Sequence, residues 1–166
     1  MLNNVKVHKY GDHVDTDTIL PGRYLDLRTE AELAPYCLAG LDADFVGRAK
    51  PGDVIVGGKN FGTGSSREHA PLAIKGNGVS CIVAINYARI FYRNAINIGL
   101  PVFECPDLVA DVAHGDTIDV NATTGTFVLN GKLYQAKPFA PSVKDIIEAG
   151  GLVQFVRQRT QPAFPR

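Results

Sequence analysis

The sequence predicts an α/β fold built on a mixed sheet, and three observations carry that expectation. From Val54 to Phe103 the hydrophobic pattern runs strand, helix, strand, helix, strand, the order that favours parallel pairing. Within it, Val79 to Ile85 is an unbroken apolar run rich in β-branched residues, as expected of a strand covered on both faces. The last third changes character. Thr117 to Val120, Thr126 to Leu129 and Leu133 to Ala136 read as short strands, and Asn130-Gly131 between the last two spells a two-residue hairpin turn. The architecture expected is a layered β/β/α domain with a C-terminal hairpin.

A chain of 166 residues is long enough for one domain with its own core, so a single unit over residues 1–166 is expected. Its 17 basic and 17 acidic residues cancel, which argues against a general nucleic-acid binder. No apolar run approaches the roughly 20 residues that span a bilayer, so no membrane association is expected. Met1-Leu2-Asn3-Asn4 lacks a charged region followed by an apolar one, so no secretory signal is expected either. The three cysteines, Cys37, Cys81 and Cys105, are odd in number and far apart, which suggests free thiols in a reducing, cytoplasmic setting. With no Cys-x-x-Cys pair and scattered histidines, this chain is not expected to hold zinc or an iron–sulfur cluster by itself.

In chain order, Val5 to Tyr10 reads as a first strand. Asp12 to Thr18 packs carboxylates densely without the glycine and distal glutamate of a calcium loop. It is either a solvated Asp/Thr turn or a source of a carboxylate that orients a nearby cation. Pro21-Gly22 breaks the chain. Thr29 with Glu32 spells a capping box for a short helix to about Leu38, interrupted near Pro35. Leu41 to Pro51 reads as a connecting loop, and Gly52-Asp53 as a turn into the strand Val54-Ile55-Val56.

Pro71 leaves two starts for the helix that follows: an irregular first turn, or a regular helix from near His69. Gly76-Asn77-Gly78 stops it. Tyr87 to Ile98 is a helix closed by Gly99, with Leu100 to Phe103 as the next strand. Arg89 and Arg93, four apart, share a helix face that points either to solvent or to an acidic partner. Ser142 to Ala149 is a short helix ended by Gly150-Gly151, and the tail from about Gln158 is expected to be loose.

The stretch with the most chemistry is Asn60 to His69, Asn-Phe-Gly-Thr-Gly-Ser-Ser-Arg-Glu-His, between an apolar strand and a helix. It is no Walker A loop, having no lysine after its glycines, and no dinucleotide fingerprint, having Arg67 where a third small residue belongs. Nor is it a nucleophile elbow. Ser65 and Glu68 have capping-box spacing, which would place the N–H groups of Ser66 and Arg67 at a helix N-terminus suited to an anion. Arg67 adds a forked, permanently charged donor matched to a carboxylate. The plainer alternative is a capped helix after a tight turn.

Three segments, taken together, go further: Asp15 to Leu25 (Asp-Thr-Asp-Thr-Ile-Leu-Pro-Gly-Arg-Tyr-Leu), Asn60 to Ala70, and Ala88 to Asn97 (Ala-Arg-Ile-Phe-Tyr-Arg-Asn-Ala-Ile-Asn). In this order and separation they resemble the small subunits of the aconitase superfamily, specifically those of 3-isopropylmalate dehydratase and homoaconitase. The resemblance covers nearly the whole chain. It implies a swivelling domain that closes over a separate large subunit, in a heterodimer or heterotetramer. The large subunit of such enzymes carries a [4Fe–4S] cluster, so no cofactor is expected on this chain. Carried over from the family, Ser65 is the base of a hydro-lyase, Arg67 binds a substrate carboxylate, Asp17 is an active-site aspartate, and the Ser66 and Arg67 N–H groups stabilise the Ser65 alkoxide.

For the substrate, a small di- or tricarboxylate, the resemblance points to Tyr24, Asp26, Leu27 and Arg28. Homoaconitase-type small subunits place arginine directly after Tyr-Leu, where this chain has Asp26, which repels an additional carboxylate. Leu27 suits an isopropyl group, whereas an inward Arg28 would suit homoaconitate. The activity expected is isomerisation of 2-isopropylmalate to 3-isopropylmalate in leucine synthesis. A homoaconitase-, dimethylmalate- or citramalate-type subunit is the alternative, followed by a carboxylate-binding module without activity.

Overall fold

In the computed structural model, which describes residues 1–160, seven strands form one mixed sheet in the order β4-β3-β2-β1-β5-β6-β7. The strands are β1 (Leu2–Lys9), β2 (Val54–Val56), β3 (Cys81–Ala84), β4 (Val102–Glu104), β5 (Thr117–Asn121), β6 (Thr126–Leu129) and β7 (Lys132–Gln135). β1 is the seam between two halves. Its C-terminal residues pair in parallel with β2, in the register Val7 to Val54 and Lys9 to Val56, and the parallel run continues through β3 to β4. Its N-terminal residues pair antiparallel with β5, where an irregularity between Leu2 and Val5 coincides with Asn4 in a left-handed conformation.

The two-residue side-chain period sorts the apolar residues into two cores. Val54, Val56, Cys81, Val83 and Phe103 face one way, and the antiparallel half curls over them with Ile118, Val120, Phe127, Leu129 and Tyr134. Ile55, Ile82, Ala84 and Val102 face the other way, under the helices. Those helices are α1 (Thr16–Ile19), α2 (Glu30–Leu33), α3 (Phe45–Arg48), α4 (His69–Gly76) and α5 (Arg89–Asn97). α6 (Pro106–Asp111) closes the strand-lined core, and α7 (Pro141–Glu148) and α8 (Leu152–Thr160) pack in the neighbourhood of α5.

The Thr29–Glu32 capping box forms at α2, which passes into a 3₁₀ turn over Ala34–Tyr36 where Pro35 interrupts it. Asn130 and Gly131 both have positive φ, as a type I′ hairpin turn requires. One expectation needs correction. The loop from Leu41 to Pro51 contains α3, a single turn held by the fully buried Phe45 and by Arg48 paired with Asp42 at 2.5 Å. Four residues are too few to show a helical period. The segment after Glu104 holds α6, with Pro106 in its first turn. α8 carries the chain helically to Thr160. Arg159 there stacks on Phe155 and lies 3.6 Å from Asp145. The remainder of the tail lies outside the described residues.

One buried polar cluster ties β1 to the turn that starts β2. Asp53, 4% exposed, accepts from the His8 ring (2.9 Å) and from the Lys50 (2.9 Å) and Lys6 (3.1 Å) main-chain N–H groups. Burial alone pushes this carboxyl up, but those donors outweigh it and hold the group below the ordinary carboxylate range. A depressed folded-state value means stability that is present above the unfolded value of about 4 and is lost as pH falls through the folded one. Asp53→Ala, which strands the buried His8 donor and two part-buried main-chain N–H groups, is expected to cost about 3 kcal/mol in urea unfolding at neutral pH. It is also expected to flatten the loss of stability on acidification.

Candidate active site

The parallel strands β1, β2 and β3 end on the same side, and their main-chain pairing continues beyond the strands. Gly58 N–H donates to Gly11 O (3.0 Å), His13 N–H to Lys59 O (2.8 Å), Gly62 N–H to Val14 O (2.7 Å) and Thr16 N–H to Thr63 O (2.8 Å). On the other flank, Phe61 N–H donates to Asn86 O (3.1 Å) and Ala88 N–H to Phe61 O (3.0 Å). The glycine-rich loop is therefore a middle strand in all but length, wedged between residues 11–16 and 85–88. In open α/β sheets the carboxyl ends of the strands are where ligands bind.

Two glycines make the wedge possible. Gly62 has φ +80°, and a Cβ there would lie 2.1 Å from Phe91 Cγ, so the α5 ring packs directly on its backbone. Gly64 has φ +106°, and a Cβ there would come within 3.0 Å of Thr16 Oγ1. Past Gly64 the loop rises to the surface, leaving Ser65 and Ser66 exposed.

Ser65 and Glu68 form no capping box. α4 starts at His69, Glu68 stands at its cap position with helical dihedrals, and no side chain caps it. The serine has another partner: Ser65 N–H donates to Thr16 Oγ1 at 3.1 Å, and the two hydroxyl oxygens are 3.3 Å apart. Capping was legible only as local spacing, and a contact from 49 residues upstream replaces it. Of the two helix starts that Pro71 left open, the one near His69 is present. The N–H groups of Ser66 and Arg67 sit before the helix and donate to no other group among the described residues.

The three motifs meet here. The Arg67 guanidinium pairs with Asp17 on α1 and lies 3.8 Å from the place of a Cβ on Gly22. Asp15 caps α1 by accepting from Thr18 N–H at 2.8 Å. From the third motif, Asn94 on α5 reaches Ser66 O at 3.4 Å. Sequence reasoning assigned nothing to Thr16 or Asn94. Their signal was only their place inside recurring motifs, between two aspartates and after Arg93.

The residues after the Pro-Gly turn are placed differently. Tyr24 stacks on Tyr36 at 3.9 Å between centroids, with Arg23 above it at 4.7 Å. Leu27 is partly buried against the helix-covered core, while Asp26 and Arg28 are exposed. No described hydrogen bond or ion pair joins residues 26–28 to the Ser65–Arg67 loop. Arg89 and Arg93 lie elsewhere again, in a cleft of about 600 Å³ along β4 with Tyr92, Lys137 and Phe139.

Among the described residues no three His, Cys, Asp or Glu side chains are grouped to hold a metal. The three thiols are free and buried, and burial raises Cys81 to about 12. No described helix is long and apolar enough to cross a membrane.

Comparison with known proteins adds the family. Residues 39–107 match the model of the aconitase C-terminal domain. The 3-isopropylmalate dehydratase small subunit of Caldicellulosiruptor bescii is 51% identical over 95% of this chain and 96% of its own. This chain belongs to the 3-isopropylmalate dehydratase small subunits. That of Thermodesulfovibrio yellowstonii is 47% identical over 93% of each chain. A crystal structure of 3-isopropylmalate dehydratase from Methanocaldococcus jannaschii superposes with a TM-score of 0.89, at 41% identity over 96% of this chain and 95% of that one. The fold is thus the swivel domain of the aconitase superfamily, and the chain is a hydro-lyase subunit whose family name implies a large-subunit partner.

In this chain the Gly62–Phe91 contact sets the height of the loop. Gly62→Ala combines a disfavoured φ with overpacking, together about 3 kcal/mol. The expected outcome is a lower thermal midpoint and faster amide exchange at Thr63 to Arg67.

Proposed function

We propose that this chain supplies the base and a carboxylate-binding arginine to the isomerisation of 2-isopropylmalate to 3-isopropylmalate, a step of leucine biosynthesis. The observation that carries the reading is Ser65 raised on a sheet-anchored loop beside Arg67, which Asp17 orients, in a chain half identical to relatives of that name. Ser65 Oγ takes the proton from the carbon next to a substrate carboxylate. The hydroxyl on the neighbouring carbon departs, leaving an alkene, and water returns with the positions exchanged. The [4Fe–4S] cluster, which we assign to the large subunit, supplies Lewis-acid help to the departing hydroxyl when bound.

The chain's own contribution is electrostatic and geometric. The unpartnered N–H groups of Ser66 and Arg67 offer donors to the alkoxide or to a substrate carboxylate. The guanidinium of Arg67 grips a carboxylate through two parallel hydrogen bonds, and Asp17 holds that fork in place from behind. Tyr24, Asp26, Leu27 and Arg28 form the side of the site that meets the substrate's variable arm. Asp26 disfavours a further carboxylate there, and Leu27 suits an isopropyl group. The working enzyme is a heterodimer or heterotetramer with the large subunit, and the free thiols fit a cytoplasmic location.

Reconstitution tests this reading. Mixed anaerobically with a cluster-bearing large subunit, the chain should turn over isopropylmalate, followed by alkene absorbance, and should do nothing alone. Ser65→Ala should abolish turnover while leaving fold and association intact, and near-normal turnover would remove Ser65 as the base. Arg67→Lys should lose nearly as much, on the order of a hundredfold, because a point charge cannot reproduce the fork. Preference for homoaconitate over isopropylmalate would mean that Arg28 turns inward. Silence on every substrate, in a verified complex, would favour a binding module.

A further inference from the structure

We propose that Thr16 is the positioning residue of the serine base: its hydroxyl fixes Ser65 and donates a hydrogen bond to the Ser65 alkoxide. This rests on Ser65 being the base. Thr16 is 1% exposed and opens α1, and its main chain is held on both sides. Its N–H donates to Thr63 O at 2.8 Å, and its carbonyl accepts from Leu20 N–H at 2.9 Å. A threonine at a helix start usually spends its hydroxyl on its own backbone. Here every described contact of that hydroxyl goes to Ser65: the N–H at 3.1 Å, Oγ at 3.3 Å and the carbonyl oxygen at 3.4 Å.

A hydroxyl has one proton and two lone pairs. One lone pair of Thr16 Oγ1 takes the Ser65 N–H, which leaves the proton to point at Ser65 Oγ or at Ser65 O. With Ser65 neutral the two acceptors compete. Once Ser65 has given its proton to solvent water, the alkoxide is the stronger acceptor, since a charge-assisted hydrogen bond is roughly twice as strong as a neutral one. The proton balance is simple. Thr16 keeps its own proton throughout, while the substrate's C–H proton moves to Ser65 Oγ and is later released.

Gly64 and the side-chain type suit this role. Gly64 leaves room for Thr16 Oγ1, which a Cβ would crowd at 3.0 Å. The β-branch of threonine restricts χ1, so the buried hydroxyl keeps its aim while the loop above it is exposed. The charged or titratable groups on the elements around Ser65 include Asp15 and Asp17 of the α1 segment, Arg67 and Glu68 of its own loop, His69 at the start of α4, and Arg89 and Arg93 of α5, which line the cleft along β4. Asp17 and Arg67 offset each other, Asp15 is engaged with Thr18 N–H, and α5 contributes the neutral Asn94. Thr16 is thus the buried neutral donor nearest the base.

The test uses the complex reconstituted with its cluster-bearing large subunit. Thr16→Val keeps the shape and removes the donor, so kcat should fall on the order of a hundredfold with KM nearly unchanged. The acid limb of the kcat/KM profile, where the base gains its proton, should move to higher pH. Thr16→Ser should restore most of kcat and return the limb. Thr16→Cys, a weaker donor, should fall between, and it decides alone if the valine variant does not assemble: an unmoved limb overturns the proposal. So does a valine variant with wild-type kcat and profile, or equal losses in the valine and serine variants with the limb in place. Ser65→Ala, run alongside, separates the two levels. Its retention of turnover would sink the base assignment, whereas its silence beside an unaffected Thr16→Val would sink only the role given to Thr16.

Discussion

The candidate site depends on main-chain hydrogen bonding that outlasts the strands. β1, β2 and β3 end at Lys9, Val56 and Ala84, yet their continuations remain interleaved as far as Thr16, Thr63 and Ala88. Fixing each backbone residue of such a segment costs roughly 1–2 kcal/mol of conformational entropy. Here the cost is offset by pairing donors and acceptors that the adjoining core would otherwise leave stranded. The loop inherits its position from the sheet, and Ser65 stands where the sheet's geometry puts it. Gly62 and Gly64 are the local conditions for that arrangement, because one admits the Phe91 ring and the other admits Thr16.

The Arg67–Asp17 pair belongs to a different class of interaction. The aspartate side chain is 65% exposed and the arginine 25%, so the pair is open to solvent and adds little to stability, about 1 kcal/mol at most. Its effect is on orientation. A long guanidinium tethered at one side presents its remaining donors in one direction, which a free side chain would do only part of the time. The buried His8–Asp53 cluster shows the contrast. It joins β1 to the N-terminal start of β2, away from the loop that follows that strand, is shielded from water, and acts on stability.

Legibility in the sequence followed the range of the interactions. The strand–helix alternation from Val54 to Phe103, the Thr29–Glu32 capping box and the Asn130-Gly131 turn depend on neighbours within a few residues, and they stand as read. The α3 turn escaped because Phe45 is helical for tertiary reasons. The Ser65–Glu68 box failed for the converse reason: local spacing was right, but Thr16 outcompeted it from another segment. The residues put forward for the site came only from the resemblance of three motifs. That they meet is a property of the parallel order, since Asp17, Arg67 and Asn94 lie 50 and 27 positions apart and yet share one end of one sheet.

The exposure of Ser65 then bears on why such a chain works with a second one. A serine hydroxyl in water is a weak base, and an alkoxide facing bulk solvent gains little from neighbouring dipoles. Two loop N–H groups, one arginine and one threonine hydroxyl become strong stabilisers only when water is excluded around them. This chain provides the donors and leaves their outer side open, with Gly64, Ser65 and Ser66 at the surface. Under the proposed function, a large subunit covering that surface would exclude water from these donors and lower the local dielectric. On this view the base is latent in the isolated chain, and the division of the site between two subunits keeps it so until substrate and partner are both in place.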